Sequence, residues 1–133
     1  MTRTPIASRA MANIDIALKE AMMIEGALGA ALVDYTSGLS LGTAGGTRDL
    51  DLVTASAGNT EVVRAKMRTM EMLGIEETIE DFLITLTNQY HIIRPLTARS
   101  SAGLFLYVAL DRRRANLALA RRKLLLIEKE LDV

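Results

Sequence analysis

The sequence contains no cysteine and little aromatic surface, with two Phe, three Tyr and no Trp among 133 residues. Without a thiol, the chain can form neither a disulfide framework nor a thiolate site, which fits a reducing cytoplasm. Aromatic platforms for stacking nucleic-acid bases are scarce, so we expect no nucleic-acid partner. The core must instead be built from aliphatic side chains and the seven methionines.

A long apolar run and a net charge are also absent. The longest apolar run, Leu104 to Leu110, is about a third of the length that spans a bilayer. Charged residues also interrupt any apolar segment of a secretion signal near the N-terminus. We therefore expect a soluble cytoplasmic protein without membrane insertion.

The charges are nevertheless unevenly distributed along the chain. Residues 1–98 carry eight basic and twelve acidic side chains, whereas residues 99–133 carry eight basic and four acidic ones. This split fits opposite faces of one domain, or the attraction of an acidic partner to the C-terminal part.

Apolar residues at helical spacing predict three helices. Their boundaries come from capping residues, because Asn, Asp and Thr favour helix starts and Gly favours helix ends. The predicted helices run from a cap at Asn13 to Gly26, from a cap at Thr47 or Asp49 to Leu73 with Gly74 as the stop, and from Ala115 to Leu131.

Two segments, Ala27 to Val33 and Leu104 to Leu110, are apolar on both faces of an extended chain and predict the centre of a sheet. Setting them side by side gives an α+β fold with a five-stranded antiparallel sheet in the order 2-1-5-4-3. The long helix is expected on one face of this sheet and the two terminal helices on the other. The remaining predicted strands are Leu39 to Ala44, Ile79 to Thr87 and Tyr90 to Leu96.

The third predicted strand lies on an edge of this sheet. A long apolar edge strand aggregates unless it is paired, so the pattern predicts a homodimer joined there. The long helix has a stripe of Val53, Ser56, Thr60, Val63, Met67 and Met70, and its segment 55–58 has almost no side-chain bulk, which would let a second copy approach. The predicted dimer interface comprises Ser56, Thr60, Val63 and Met67 of the helix with Phe82, Ile84 and Leu86 of the strand.

No constellation of residues indicates an active site. In the glycine-rich stretch from Gly26 to Leu50, no Lys follows Gly46 at the spacing of a phosphate-binding loop. His91 is the only histidine, and neither a zinc-ligand spacing nor a nucleophile elbow accompanies it. We therefore expect no catalytic residue, no metal site and no cofactor, and a function that depends on a surface.

Two charge clusters remain. Glu76, Glu77, Glu80 and Asp81 precede the edge strand and are interpreted as charged gatekeepers against aggregation. The basic runs 112–114 and 121–123 lack the interleaved aromatics of a nucleic-acid surface, which favours a solvated face or an acidic protein partner.

The element order, the hairpin "ALVDYTSGLSLG" and the ending "LFLYVALDRRRANLALARRKLLLIEKEL" resemble the roadblock family, the dynein-light-chain type. The match covers nearly all of residues 10–131. We therefore expect a bacterial single-domain member, with one roadblock-type domain in residues 10–133 after a flexible N-terminus of residues 1–9. The resemblance implies a profilin-like sandwich that dimerises through edge strands, with the two long helices side by side.

The resemblance also implies a non-catalytic platform, since some bacterial members regulate Ras-like small GTPases. On this basis the expected function is a homodimeric regulator or scaffold, partnered by a small GTPase or another signalling protein. The outward side chains expected to contact that partner are Glu61, Arg64, Arg68 and Glu71, by position alone. No catalytic arginine of the family maps onto the sequence, which puts an arginine-finger mechanism in doubt. The alternatives are a sensory module that binds a small ligand, or a structural adaptor without a GTPase.

Overall fold

The computed structural model describes the backbone of residues 6–131 and the side chains of residues 13–131. Three α-helices and five β-strands follow one another in this part of the chain, with a short 3₁₀ turn at Arg99–Ser101. The elements are α1 (Ile6–Met22), β1 (Ala27–Asp34), β2 (Leu39–Gly45), α2 (Leu52–Leu73), β3 (Phe82–Thr85), β4 (Gln89–Pro95), β5 (Leu104–Asp111) and α3 (Leu117–Glu130).

The strands form one antiparallel sheet in the order β2-β1-β5-β4-β3, which confirms the predicted topology. Strands β1 and β5 lie in the centre, with register pairs such as Ala31 and Tyr107. The interiors of both strands are buried, as their apolar sequences predict.

Each face of the sheet carries its own core. On one face, α2 packs through Val63 and Leu52 against Phe105 and Tyr107. On the other face, α1 and α3 pack together over β1, β4 and β5, with Leu18 and Leu124 among the buried side chains. This arrangement confirms the predicted layers, one long helix on one face and two terminal helices on the other.

The glycines at the start of the sheet shape the β1–β2 hairpin. Gly38 has a φ of 82°, a left-handed conformation that glycine adopts without steric penalty. Asp34 closes the turn by accepting hydrogen bonds from the Thr36 backbone N–H at 2.8 Å and its hydroxyl at 2.5 Å, which lower the pKa of Asp34. Further along, a Cβ on Gly42 would lie 2.9 Å from both Ile14 and Leu18, so glycine lets α1 lie close to β2.

Several predicted boundaries were wrong. Helix α1 begins at Ile6, so Asn13 lies within it and is not its N-cap. The N-cap of α2 is Asp51, not Thr47 or Asp49. Residues 1–5 of the expected flexible N-terminus lie outside the described residues, and residues 6–9 belong to α1.

The edge strand β3 is shorter than the predicted Ile79 to Thr87. It pairs with β4 only from Phe82 to Thr85, where Phe82 lies opposite Ile93. The same register would place Glu80 opposite Pro95, which has no N–H to donate. The chain before Phe82 therefore lies outside the sheet.

Within residues 6–131, none of the helices combines the length and the apolar character that crossing a bilayer requires.

Candidate functional site: the surface of α2 and the β3 edge

Helix α2 is fixed at both ends by its own sequence. The Asp51 carboxylate accepts from the backbone N–H of Val53 at 3.0 Å and of Thr54 at 3.3 Å, and the bonds from Thr54 and Val53 lower the pKa of Asp51. At the other end Gly74 has a φ of 70° and its N–H donates to Glu71, which confirms the predicted stop. The helix therefore presents a defined surface of six turns.

The inner face of α2 consists of Leu52, Ser56, Thr60 and Val63, all buried against the sheet. The Ser56 hydroxyl donates to the carbonyl of Leu52 at 2.6 Å and the Thr60 hydroxyl donates to that of Ser56 at 2.8 Å, so both polar groups are satisfied within the helix. Their small size lets α2 approach its own sheet, not a second copy. The prediction of Ser56, Thr60 and Val63 as dimer-interface side chains was wrong, because the chain itself covers them.

The predicted apolar stripe was also displaced at its start. Val53 is 67% exposed, and its neighbour Leu52 occupies the buried position instead. Small residues do line the outer face, where Ala57, Gly58 and Ala65 are exposed and no atom lies within 4 Å of a Cβ placed on Gly58. The small side chains of segment 55–58 thus lie on both the inner and the outer face of the helix.

The four predicted partner-binding side chains lie along one flank of α2, because their spacings of three and four residues place them on successive turns. Glu61, Arg68 and Glu71 are exposed. Arg64 differs: its guanidinium donates to the main-chain carbonyls of Tyr35, at 2.8 Å, and Thr36 in the β1–β2 turn. Arg64 therefore joins α2 to the hairpin, and with 39% of its side chain exposed its contact with a partner stays a prediction.

The β3 edge is the second part of the candidate site. Strand β3 pairs with β4 on one side, and no strand within the described residues lies on its other side. Phe82 and Ile84 are half-buried beside the α2 core, Met67 of α2 is partly exposed, and Leu86 is 42% exposed. These four predicted interface residues therefore remain accessible to a partner.

His91 lies on β4, next to this edge, and its ring contacts the side chains of Tyr107 and Gln89. Its Nδ1 lies 3.1 Å from the Tyr107 hydroxyl and its Nε2 lies 2.7 Å from Oε1 of Gln89. Burial lowers the pKa of His91 and raises that of Tyr107 to about 12. With Nε2 donating to Gln89, Nδ1 accepts a hydrogen bond from the Tyr107 hydroxyl, which is the pattern of a neutral histidine.

The two charge clusters meet in the structure. The Arg121 guanidinium donates to both carboxylate oxygens of Asp81, at 2.9 and 3.0 Å. Arg112 lies over the Tyr90 ring and donates to the carbonyl of Leu86 at 3.1 Å. Part of the basic cluster thus supports the edge strand, a contact that the spacing of the charges alone did not indicate. Among the described residues, no group of three or more His, Asp or Glu is arranged to hold a metal ion.

No protein-family model matches the sequence, and no curated protein matches it. Solved structures do match. The gliding protein MglB from Thermus thermophilus superposes with a TM-score of 0.75 at 15% identity, covering 98% of this chain and 92% of that one. Myxococcus xanthus MglB superposes with a TM-score of 0.73 at 21% identity, covering 98% and 90%.

A Roadblock/LC7 domain from Streptomyces avermitilis has a TM-score of 0.70 at 13% identity and covers 90% of this chain and 91% of that domain. These similarities extend over nearly the whole chain, and at such low identity they establish the fold. The chain therefore has the roadblock fold, which confirms the resemblance seen in the sequence.

Proposed function

We propose that this roadblock-fold protein is a non-catalytic, homodimeric regulator or scaffold of a Ras-like small GTPase in the cytoplasm. The proposal rests on one combination of features in a roadblock fold: the β3 edge is open, and the outer face of the long helix is exposed. A fold alone does not define a function, so the proposal depends on these two surfaces.

The first step is dimerisation. An unpaired edge strand offers its main-chain N–H and C=O groups to another strand, and β3 carries apolar side chains at that edge. Joining two β3 edges would bring the two copies of α2 together over one continuous sheet. The small outer residues Gly58 and Ala65 then allow close helix packing.

The second step is contact with the GTPase. The flank that carries Glu61, Arg68 and Glu71 follows the β1–β2 side of α2, since Arg64 on the same flank reaches that turn. This flank therefore stays exposed when the β3 edges are joined. Its mixed charges suit a polar, reversible interface with a signalling protein.

The role of Arg64 bears on mechanism. A guanidinium bound to two carbonyls of its own chain is not free to stabilise charge on a transferring phosphoryl group. Arg64 therefore does not act as an arginine finger. In the proposed mechanism the regulator holds the catalytic groups of the GTPase in place, and the partner carries out the chemistry.

The experiment is a GTP-hydrolysis and binding assay with the purified small GTPases of the source organism. We expect complex formation with at least one of them, and a weaker complex for Glu61→Arg/Arg68→Glu. Arg122→Glu, an exposed charge reversal on α3, is the matched control and should leave binding unchanged. If the unmodified protein forms a complex with none of them, the proposal is wrong.

A further inference from the structure

A cleft at the C-terminal end of α2 adjoins the flank proposed above and shares Glu71 with it. It has a volume of about 420 Å³ and lies between the last turns of α2, the connecting segment 74–79 and the end of β4. This volume is within the range of sites that bind ligands or side chains. The apolar residues that line it are Met67, Met70, Ile75, Ile79, Pro95 and Leu96.

The rim of the cleft is acidic. Glu71, Glu76 and Glu77 line it, and no Lys or Arg does so among the described residues. None of these carboxylates forms an ion pair within residues 13–131. Arg64, two turns earlier on α2, is bound to the β1–β2 turn and to Glu61 at 3.7 Å. The cleft therefore combines an apolar floor with uncompensated negative charge.

The surroundings of the cleft favour a chain segment over a small molecule. Apolar surface is exposed in the cleft and next to it in the chain, since Ile75 in the lining is 40% and Leu73 66% exposed. Residues 76–81 lie outside the sheet and belong to no helix, so their main-chain polar groups can pair with an extended peptide. A compact ligand would use only part of this surface.

We propose that the cleft binds a basic, apolar peptide segment of a protein partner. An apolar side chain of the peptide would fill the space between Met70, Ile79 and Leu96. A neighbouring Lys or Arg would lie against Glu76 and Glu77, where opposite charge gives the site its selectivity. The site shares Glu71 with the α2 flank but extends beyond it over residues 74–79 and 95–97, so it adds a second protein contact to the molecule.

The test is selection of random twelve-residue peptides displayed on phage against the immobilised full chain, followed by fluorescence-polarisation titration of the selected peptides. We expect peptides with an apolar residue flanked by Lys or Arg, and amide NMR shifts confined to residues 67–79 and 95–97. Glu76→Gln/Glu77→Gln should weaken binding about three- to tenfold, because each exposed ion pair contributes modestly. Glu25→Gln/Glu130→Gln removes two exposed carboxylates elsewhere and should leave the affinity unchanged.

Failure to select any peptide, selection of acidic peptides, or shifts on another surface would each overturn the proposal. An affinity that Glu76→Gln/Glu77→Gln leaves unchanged would do the same. Hexylammonium binding as tightly as the selected peptides would assign the cleft to small amphiphilic amines instead. The GTPase assay above uses variants at Glu61 and Arg68, and neither residue lines this cleft, so the two proposals fail separately.

Discussion

Nε of Arg64 in α2 donates a 2.8 Å hydrogen bond to the main-chain carbonyl of Tyr35, 29 residues earlier in the chain. The same guanidinium also binds the carbonyl of Thr36. The planar, multiply donating guanidinium suits two neighbouring carbonyl acceptors, whereas a lysine ammonium would not reproduce this geometry. The hairpin and the proposed regulatory helix are therefore joined by one side chain.

Replacing Arg64 with Ala should lower the free energy of unfolding by about 1–2 kcal/mol, because charge-assisted hydrogen bonds to main-chain carbonyls are lost. This figure is reduced for a side chain that is 39% exposed. Arg68→Ala on the same flank should change it by less than about 0.5 kcal/mol. Urea unfolding of both variants compares them, and equal losses would argue against the hairpin contact.

Replacing Leu86 with Lys should dissociate the proposed dimer, because a charge placed beside the β3 edge opposes strand pairing. The control is Leu39→Lys at the opposite edge of the sheet, in β2, where the side chain is 68% exposed. Light scattering should give a monomer mass for Leu86→Lys and a dimer mass for Leu39→Lys. The reverse result would place the interface at β2.

Replacing Gly58 with Ala should stabilise the isolated subunit by about 0.5–1 kcal/mol, since the position is exposed within a helix and a Cβ there meets no other atom. In the proposed dimer the same methyl group lies where the two copies of α2 meet. We therefore expect greater stability in the Leu86→Lys background together with weaker dimerisation of the otherwise unmodified chain. Unchanged dimerisation would mean that Gly58 is outside the interface.

The stability of the protein should depend on pH through His91. Burial holds its pKa below the ordinary value of 6.5, so the unfolded state binds more protons between the two values. The His91 contribution is complete above pH 6.5 and is lost as the pH falls from 6.5 through the lower folded-state pKa. NMR titration of the imidazole and urea unfolding at about pH 5 and about pH 7.5 should show this, and His91→Gln should remove that part of the pH dependence.

Hydrophobic patterns along the sequence were sufficient to predict the strand order of the sheet. Leu104 to Leu110 is apolar on both faces, and only a central strand covered by helices on both sides accommodates such a segment. The position of the long helix followed from the same logic. What the pattern could not decide was the surface that the stripe of α2 contacts. It placed Ser56 and Thr60 on one face of the helix, but their burial against the chain's own sheet depends on hydrogen bonds to carbonyls four residues earlier.

The wrong predictions have two physical causes: several residues compete for the same capping position, and some contacts join residues far apart in the sequence. Thr47, Asp49 and Asp51 all have capping side chains, and tertiary packing of Leu52 decides among them. The contact of Arg64 with the hairpin joins residues far apart in sequence, for which no local spacing exists. The cleft likewise forms only where segment 74–79 meets the end of β4.

Gly58 faces open space and has an ordinary helical backbone, so nothing within the described chain requires a glycine there. A glycine that weakens its helix and has no packing role inside the subunit is explained by the close approach of the second α2 in the proposed dimer. Variation at this position among related sequences therefore indicates whether they dimerise, without any purified protein. Alanine should be common in relatives that are monomers and rare in relatives whose α2 helices pack against each other.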